Sequence, residues 1–199
     1  GTRLSPITKS VSKQLLPVYD KPLIFYPLSI LMLSNIRNIL IIVKKGEKKN
    51  FQEAFGNVKD IGIKLQFQEQ IKPRGIPEAF IIGERFINHS SIALILGDNF
   101  FYGQGLSEIL KKNFNHKSGA RIFTYPINDP QNFGIVEKTN QGKKIRIIEK
   151  PKNSKSNLAI TGLYLFDKNV STYSKKIRID AVVKLDIIFS LKSMVNKLI

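Results

Sequence analysis

The sequence predicts an α/β protein with a parallel sheet in its early half, on the strength of two patterns. Short apolar runs alternate with amphipathic stretches along the chain. One run, Ile39-Leu40-Ile41-Ile42-Val43, is continuous and rich in β-branched residues, as a strand buried on both faces requires. Taken in order, residues 23–33 read as a buried helix, an apolar stretch interrupted only by Tyr26, Pro27 and Ser29. Residues 39–43 form a first strand, and 48–55 a helix stopped by Gly56. A second strand covers 63–67. Residues 77–87 read as one helix, with Pro77 in its first turn and Ala79, Phe80 and Ile82 on its apolar side. Residues 91–96 are a central strand, ended by Gly97-Asp98-Asn99. A surface helix covers 106–114 and a strand 121–125. Strands at 135–138 and 143–149 flank Asn140-Gln141-Gly142, a hairpin turn signal. A last strand covers 158–166. No internal repeat or low-complexity linker breaks this order.

Composition narrows the class. A chain of 199 residues makes one large domain or slightly more, and 42% hydrophobic residues suffice for a core. No run approaches the ~18 apolar residues of a membrane span, so no membrane partner is expected and the location reads as cytoplasmic. The absence of cysteine excludes disulfides, thiolate chemistry and cysteine zinc sites. The two histidines, His89 and His116, lie in polar contexts and read as surface residues. The net charge of +17 invites a nucleic-acid reading. However, the lysines are dispersed, as in Lys44-Lys45, Lys111-Lys112 and Lys175-Lys176, and form no long stripe. They read as a solvated surface, and no nucleic-acid partner is expected. A positive field of this kind also attracts phosphorylated small molecules.

The first 22 residues carry the most chemistry. A Gly1-Thr2-Arg3 turn stands ten residues before Lys13, and Pro17 and Pro22 close the segment. Backbone N–H groups at a glycine approach an anion closely, and Arg3 and Lys13 add mobile positive charge. Phosphate loops hang from strand ends and no strand precedes this one, so the chain reads as a fragment. Later, Leu96-Gly97-Asp98-Asn99 follows the most hydrophobic strand. Gly-Asp-Asn reads either as an ordinary turn or as the place where Asp98 holds a hard cation such as Mg2+.

Several spaced elements together resemble the sugar-1-phosphate nucleotidylyltransferase family. They are Gly1-Thr2-Arg3-Leu4, Lys13-Gln14-Leu15-Leu16-Pro17, the longer form through Val18-Tyr19-Asp20-Lys21-Pro22, and Gly97-Asp98-Asn99-Phe100-Phe101-Tyr102-Gly103. Ile147-Ile148-Glu149-Lys150-Pro151 and Ile160-Thr161-Gly162-Leu163-Tyr164 continue the likeness, which is greatest to the glucose-1-phosphate thymidylyltransferases. The resemblance implies a Rossmann-like, mixed and mainly parallel sheet with helices on both faces, of the nucleotide-diphospho-sugar transferase type, here lacking its first strand. It implies transfer of a thymidylyl group from dTTP to glucose 1-phosphate, with Mg2+ and no general base. Gly1, Thr2, Arg3, Lys13, Gln14, Gln70, Pro73, Gly75 and Asp98 would bind the nucleotide, with Asp98 on the metal. Asn99, Gly134, Glu149, Lys150, Ile160 and Thr161 would bind the sugar phosphate. Arg3, Lys13 and Lys150 would be the catalytic cations. Full-length relatives of this kind are expected to be homo-oligomers, tetramers in particular.

The chain also departs from the family pattern. Ile76-Pro77-Glu78-Ala79 replaces the usual Leu-Ala-Gln-Ala, Arg74 stands where an acid is common, and Phe133 replaces a tyrosine. The likeness frays after about residue 170, and the Trp-Leu-Asp-Thr-Gly segment that bears the family's second metal ligand does not occur. The expected layout is a single incomplete domain over 1–199. Residues 1–115 would be the nucleotide-binding half, 116–170 the sugar-phosphate half and 171–199 a divergent helical tail. Activity of this stretch alone is expected to be impaired. Two rivals stand beside this reading: a related enzyme using UTP or CTP, and an inactive remnant or basic nucleic-acid-binding module.

Overall fold

The structure is a computed structural model that describes residues 4–9, 11–72, 74–114, 118–138 and 145–176. The chain forms two compact units. The first comprises residues 1–73 and 95–116, and the second 74–94 and 117–199.

In the first unit, a short 3-10 turn at Lys13–Leu15 leads into a two-residue hairpin, β1 (Pro17–Val18) against β2 (Lys21–Pro22). Helix α1 (Phe25–Leu33) follows and buries Pro27, Leu28, Ile30 and Leu31. Pro27 is tolerated because it lies in the first turn, where its missing N–H has no intrahelical partner. The far end of α1 is closed three ways. Ser34 Oγ donates to the Ile30 carbonyl at 2.8 Å, Asn35 turns left-handed at φ 67°, and the Arg37 guanidinium donates to the Met32 carbonyl at 2.7 Å. A cation there also opposes the negative end of the helix dipole.

Strand β3 (Asn38–Lys44) pairs in parallel with β4 (Lys64–Gln70), in register from Asn38–Lys64 to Lys44–Gln70. Helix α2 (Lys48–Phe55) makes the crossover and stops at Gly56 as expected. Its buried Phe51 and Phe55 lie one turn apart, and Phe55 meets Phe25 at 4.9 Å and Phe67 at 6.0 Å between ring centres. Strand β4 runs three residues past the expected 63–67. Gln68, Glu69 and Gln70 carry no apolar signal, but the β3 edge offers each a ladder partner.

In the second unit, residues 77–87 do not form the single helix expected. They fold as α3 (Ile76–Ile82) and α4 (Glu84–Ile87), broken at Gly83. A glycine inside a helix forfeits about 1 kcal/mol relative to alanine, so this is where the helix yields. Strand β5 (Ile92–Ile95), helix α5 (Leu106–Phe114, in the first unit), β6 (Ala120–Pro126), β7 (Gly134–Lys138), β8 (Ile145–Glu149), β9 (Leu158–Phe166) and α6 (Val170–Lys176) complete the described elements.

The larger sheet follows the path β5-β9-β7-β8, with β6 also on β9. Strands β6–β9, β7–β8 and β7–β9 are antiparallel. A mixed α/β fold is therefore present, and the described strands fall in separate sheets where one sheet was expected. Among the described strands β3 and β4 pair in parallel, and β5, expected to be central, ends its path. The β7–β8 hairpin forms as expected, and its turn lies outside the described residues.

The core of the second unit joins Phe80 and Ile87 of α3 and α4 to Ala120, Tyr164 and Phe166 of the sheet and Val170 of α6. Phe80 meets Phe166 edge-on at 5.0 Å. Asp167, buried, accepts hydrogen bonds from the N–H groups of Gly119 at 2.7 Å and Asn169 at 2.9 Å, tying the end of β9 to the start of β6. His89 is exposed, as expected, and His116 lies outside the described residues.

Candidate active site

The first unit brings together three of the expected nucleotide-side residues, Lys13, Gln14 and Asp98. Lys13 stands at the start of the 3-10 turn and Asp98 in the turn after β5, where the Asn99 N–H donates to the Leu96 carbonyl at 3.1 Å. The Lys13 ammonium lies 3.0 Å from Asp98 Oδ2, across 85 residues of sequence. Gln14 follows directly. Its carbonyl accepts from the Ile24 N–H at 2.9 Å, and its side chain sits against Gly97.

That contact explains the glycine. A methyl group at residue 97 would stand 2.9 Å from Ile24 Cδ1 and 3.3 Å from Gln14 Cγ. Gly97→Ala should cost about 1–2 kcal/mol by overpacking and shift Gln14. Urea melts with and without dTTP should show both the loss and a weaker protection by nucleotide; unchanged melts would refute the role of this close approach.

Two residues in this region carry no sequence signal. The Ser12 hydroxyl lies 2.9 Å from Gln14 Oε1 and 3.1 Å from Glu47 Oε2. One hydroxyl proton serves one acceptor at a time, so Ser12 couples Gln14 to the loop before α2. Only the fold juxtaposes residues 12 and 47, and no local pattern announces it. Gln70 ends β4, and its carbonyl accepts from the Lys45 N–H at 3.0 Å. Gly1, Thr2, Arg3 and Pro73 lie outside the described residues.

The second unit holds the remaining residues. Gly75 caps α3 at φ 89°, a conformation that favours glycine, and the neighbouring Arg74 N–H donates to Glu78 Oε2 at 3.0 Å. The unusual Glu78 thus folds back over the loop before its own helix. Glu149 pairs across the sheet with Gly134, and Ile135 with Ala159.

Glu149 Oε2 is buried and has no hydrogen-bond partner among the described residues. A buried carboxylate oxygen without a donor costs free energy that a ligand hydroxyl would recover. Lys150 follows at φ 45°, strained for a non-glycine residue, and is held there by its N–H donating to the Phe133 carbonyl at 2.9 Å. The Thr161 hydroxyl donates to the Phe123 carbonyl at 2.9 Å, which leaves it only acceptor capacity.

Tyr164, 4% exposed, senses the same carboxylate. Burial, with the Glu149 charge adding to it, pushes its phenol from 10.0 up to about 12. The folded state then keeps a proton that the unfolded chain releases between these values. The resulting stability is complete below pH 10 and is lost as pH rises through about 12, in total about 2–3 kcal/mol. Wild type should lose this much relative to Tyr164→Phe in urea melts taken from pH 9 to pH 12. Parallel curves would show that the phenol is not linked to folding.

These sites rest on a recognisable scaffold: a family model for nucleotidyl transferases matches residues 1–196. The chain belongs to the nucleotidyl transferase family. It is 48% identical over 187 residues to the glucose-1-phosphate thymidylyltransferase of Neisseria gonorrhoeae, covering 94% of this chain and 65% of that one. It is 47% identical over 178 residues to the enzyme of the same name from Xanthomonas campestris, covering 89% and 60%. The chain thus spans less than two thirds of the length of these relatives. Among solved structures, a Bacillus anthracis protein provisionally named a glucose-1-phosphate thymidylyltransferase, crystallised with sucrose, superposes with a TM-score of 0.85 at 32% identity, covering 95% of this chain and 77% of that one. A UDP-glucose pyrophosphorylase complexed with UDP-glucose shares the fold, with a TM-score of 0.70 at 19% identity over 94% of this chain and 82% of that one.

Proposed function

We propose that the protein containing this chain transfers a thymidylyl group from dTTP to glucose 1-phosphate, giving dTDP-glucose and pyrophosphate. The observation that carries this is the 48% identity to a relative so named, over 94% of the chain. The sugar 1-phosphate oxygen forms a bond to the α-phosphorus of dTTP, and the bond to the bridging oxygen breaks as pyrophosphate leaves. The attacking phosphate is already ionised, so binding and charge neutralisation supply the catalysis.

In the first unit, Lys13 and Gln14, with Arg3, Gly1 and Thr2, bind the triphosphate; Gln70 and Pro73 serve the base, as does Gly75 of the second unit. In the second unit, Glu149 accepts hydrogen bonds from sugar hydroxyls, Gly134, Ile160 and Thr161 also serve the sugar phosphate, and Lys150 binds its phosphate. Asn99 belongs to the sugar phosphate as well. We read the fold as the Rossmann-like nucleotide-diphospho-sugar transferase type, with residues 1–115 serving mainly the nucleotide and 116–170 mainly the sugar phosphate. The same likeness supports a cytoplasmic homo-oligomer.

The donor set fits Mg2+ in one way. Among the described residues no group of three or more His, Cys, Asp or Glu side chains could hold a metal ion, and Asp98 stands as one accessible carboxylate. Mg2+ takes one or two carboxylates and completes its shell with phosphate oxygens and water, so Asp98 suits an ion that comes with the triphosphate. When bound, the ion neutralises charge on the triphosphate oxygens.

The test is pyrophosphate release by the full-length protein from glucose 1-phosphate with dTTP, UTP and CTP in turn. Turnover with dTTP at least ten-fold above the others supports the reading. Preference for UTP or CTP would replace it with the related enzyme, and no release with any triphosphate would reject both.

A further inference from the structure

We infer that Lys13 and Asp98 serve as each other's counterions in the free protein, and that the pair disfavours both a bare triphosphate and a bare divalent cation relative to their complex. This rests on the proposed roles of Lys13 as a phosphate ligand and Asp98 as a cation ligand. The ammonium and Oδ2 are 3.0 Å apart, with side chains 35% and 38% exposed, so each is open to a ligand and neither is locked in the core. The described ion pairs include no second acid on Lys13 and no second base on Asp98.

A triphosphate alone gains Lys13 only by breaking its bond to Asp98, and it then faces an uncompensated carboxylate. A cation alone gains Asp98 only by breaking the same bond, and it then faces a freed ammonium. The metal–triphosphate complex meets both groups with opposite charge at once. The exchange turns two unfavourable half-steps into one neutral swap, and it makes the metal complex the favoured form. A half-exposed ion pair is modest in strength, so each half-step is opposed by about two- to five-fold, not by orders of magnitude.

The experiment uses the 199-residue chain and its Lys13→Met, Asp98→Asn and double variants, all at sites accessible enough to leave folding intact. Free Mn2+ is titrated by electron paramagnetic resonance with no nucleotide present. Binding of dTTP is titrated by calorimetry, in EDTA and in Mg2+. Lys13→Met should bind Mn2+ about two- to five-fold more tightly than wild type. Asp98→Asn should bind metal-free dTTP more tightly by a similar factor, and that gain should vanish in the double variant, because it requires a released Lys13. Unchanged Mn2+ binding in Lys13→Met would overturn the inference. So would an Asp98→Asn gain that survives without Lys13, since charge removal alone would then explain it. Failure of wild type to bind Mg2+–dTTP would overturn the nucleotide reading itself, an outcome distinct from either of these.

Discussion

On the proposed function, Glu149→Gln in the full-length protein should lower kcat/KM for glucose 1-phosphate about ten- to one-hundred-fold, the worth of hydrogen bonds to a charged group. The KM for dTTP should stay within about two-fold, since Glu149 is assigned to the sugar alone. The same change should leave the unliganded protein more stable by about 1–2 kcal/mol, because an unpartnered buried carboxylate oxygen is replaced by a neutral amide. Steady-state kinetics with each substrate varied, and urea midpoints without ligand, read the two effects. Opposite signs for stability and activity are the mark of a site that keeps a binding group unsatisfied for its ligand. If Glu149 were a structural residue, the variant would lose stability and all kinetic constants would fall together.

Phe80→Ala should be the most damaging core change in the second unit, at about 3–5 kcal/mol. Phe80 is 3% exposed and joins α3 to the sheet through its edge contact with Phe166. Its carbonyl also accepts from the Ser171 hydroxyl of α6 at 3.4 Å. Truncation empties the centre of a cluster whose other members, Ile87, Tyr164 and Val170, sit on three different elements and cannot all collapse inward. Domain stabilities run to only about 5–15 kcal/mol, so the loss is about a fifth of the total or more. Urea unfolding followed by tyrosine fluorescence would show a shifted midpoint at unchanged slope. A loss under 1 kcal/mol would mean that this cluster is not the core of its unit.

Local signals were read well where the relevant physics is local. Helices α2 and α5 stand where amphipathic spacing placed them, since a 3.6-residue pattern within one segment decides which face is buried. The β7–β8 hairpin follows from two short apolar strands around a turn signal. The end of β4 has a non-local cause. Gln68-Glu69-Gln70 are polar, and only pairing to β3 makes them strand. Gly83 lies inside an apolar pattern that hid the break between α3 and α4.

The sequence by itself determined the class of chemistry. Its spaced motifs carry the likeness to the nucleotidyl transferases, because residue type and spacing are written directly in the chain. Tertiary structure alone decided how the groups in those motifs are held before any ligand arrives. It set Lys13 on Asp98 across 85 residues, placed Gln14 against Gly97, and buried Glu149 Oε2 without a donor. Each depends on contacts between distant segments, and such contacts come from the packing of whole elements, which no local pattern encodes.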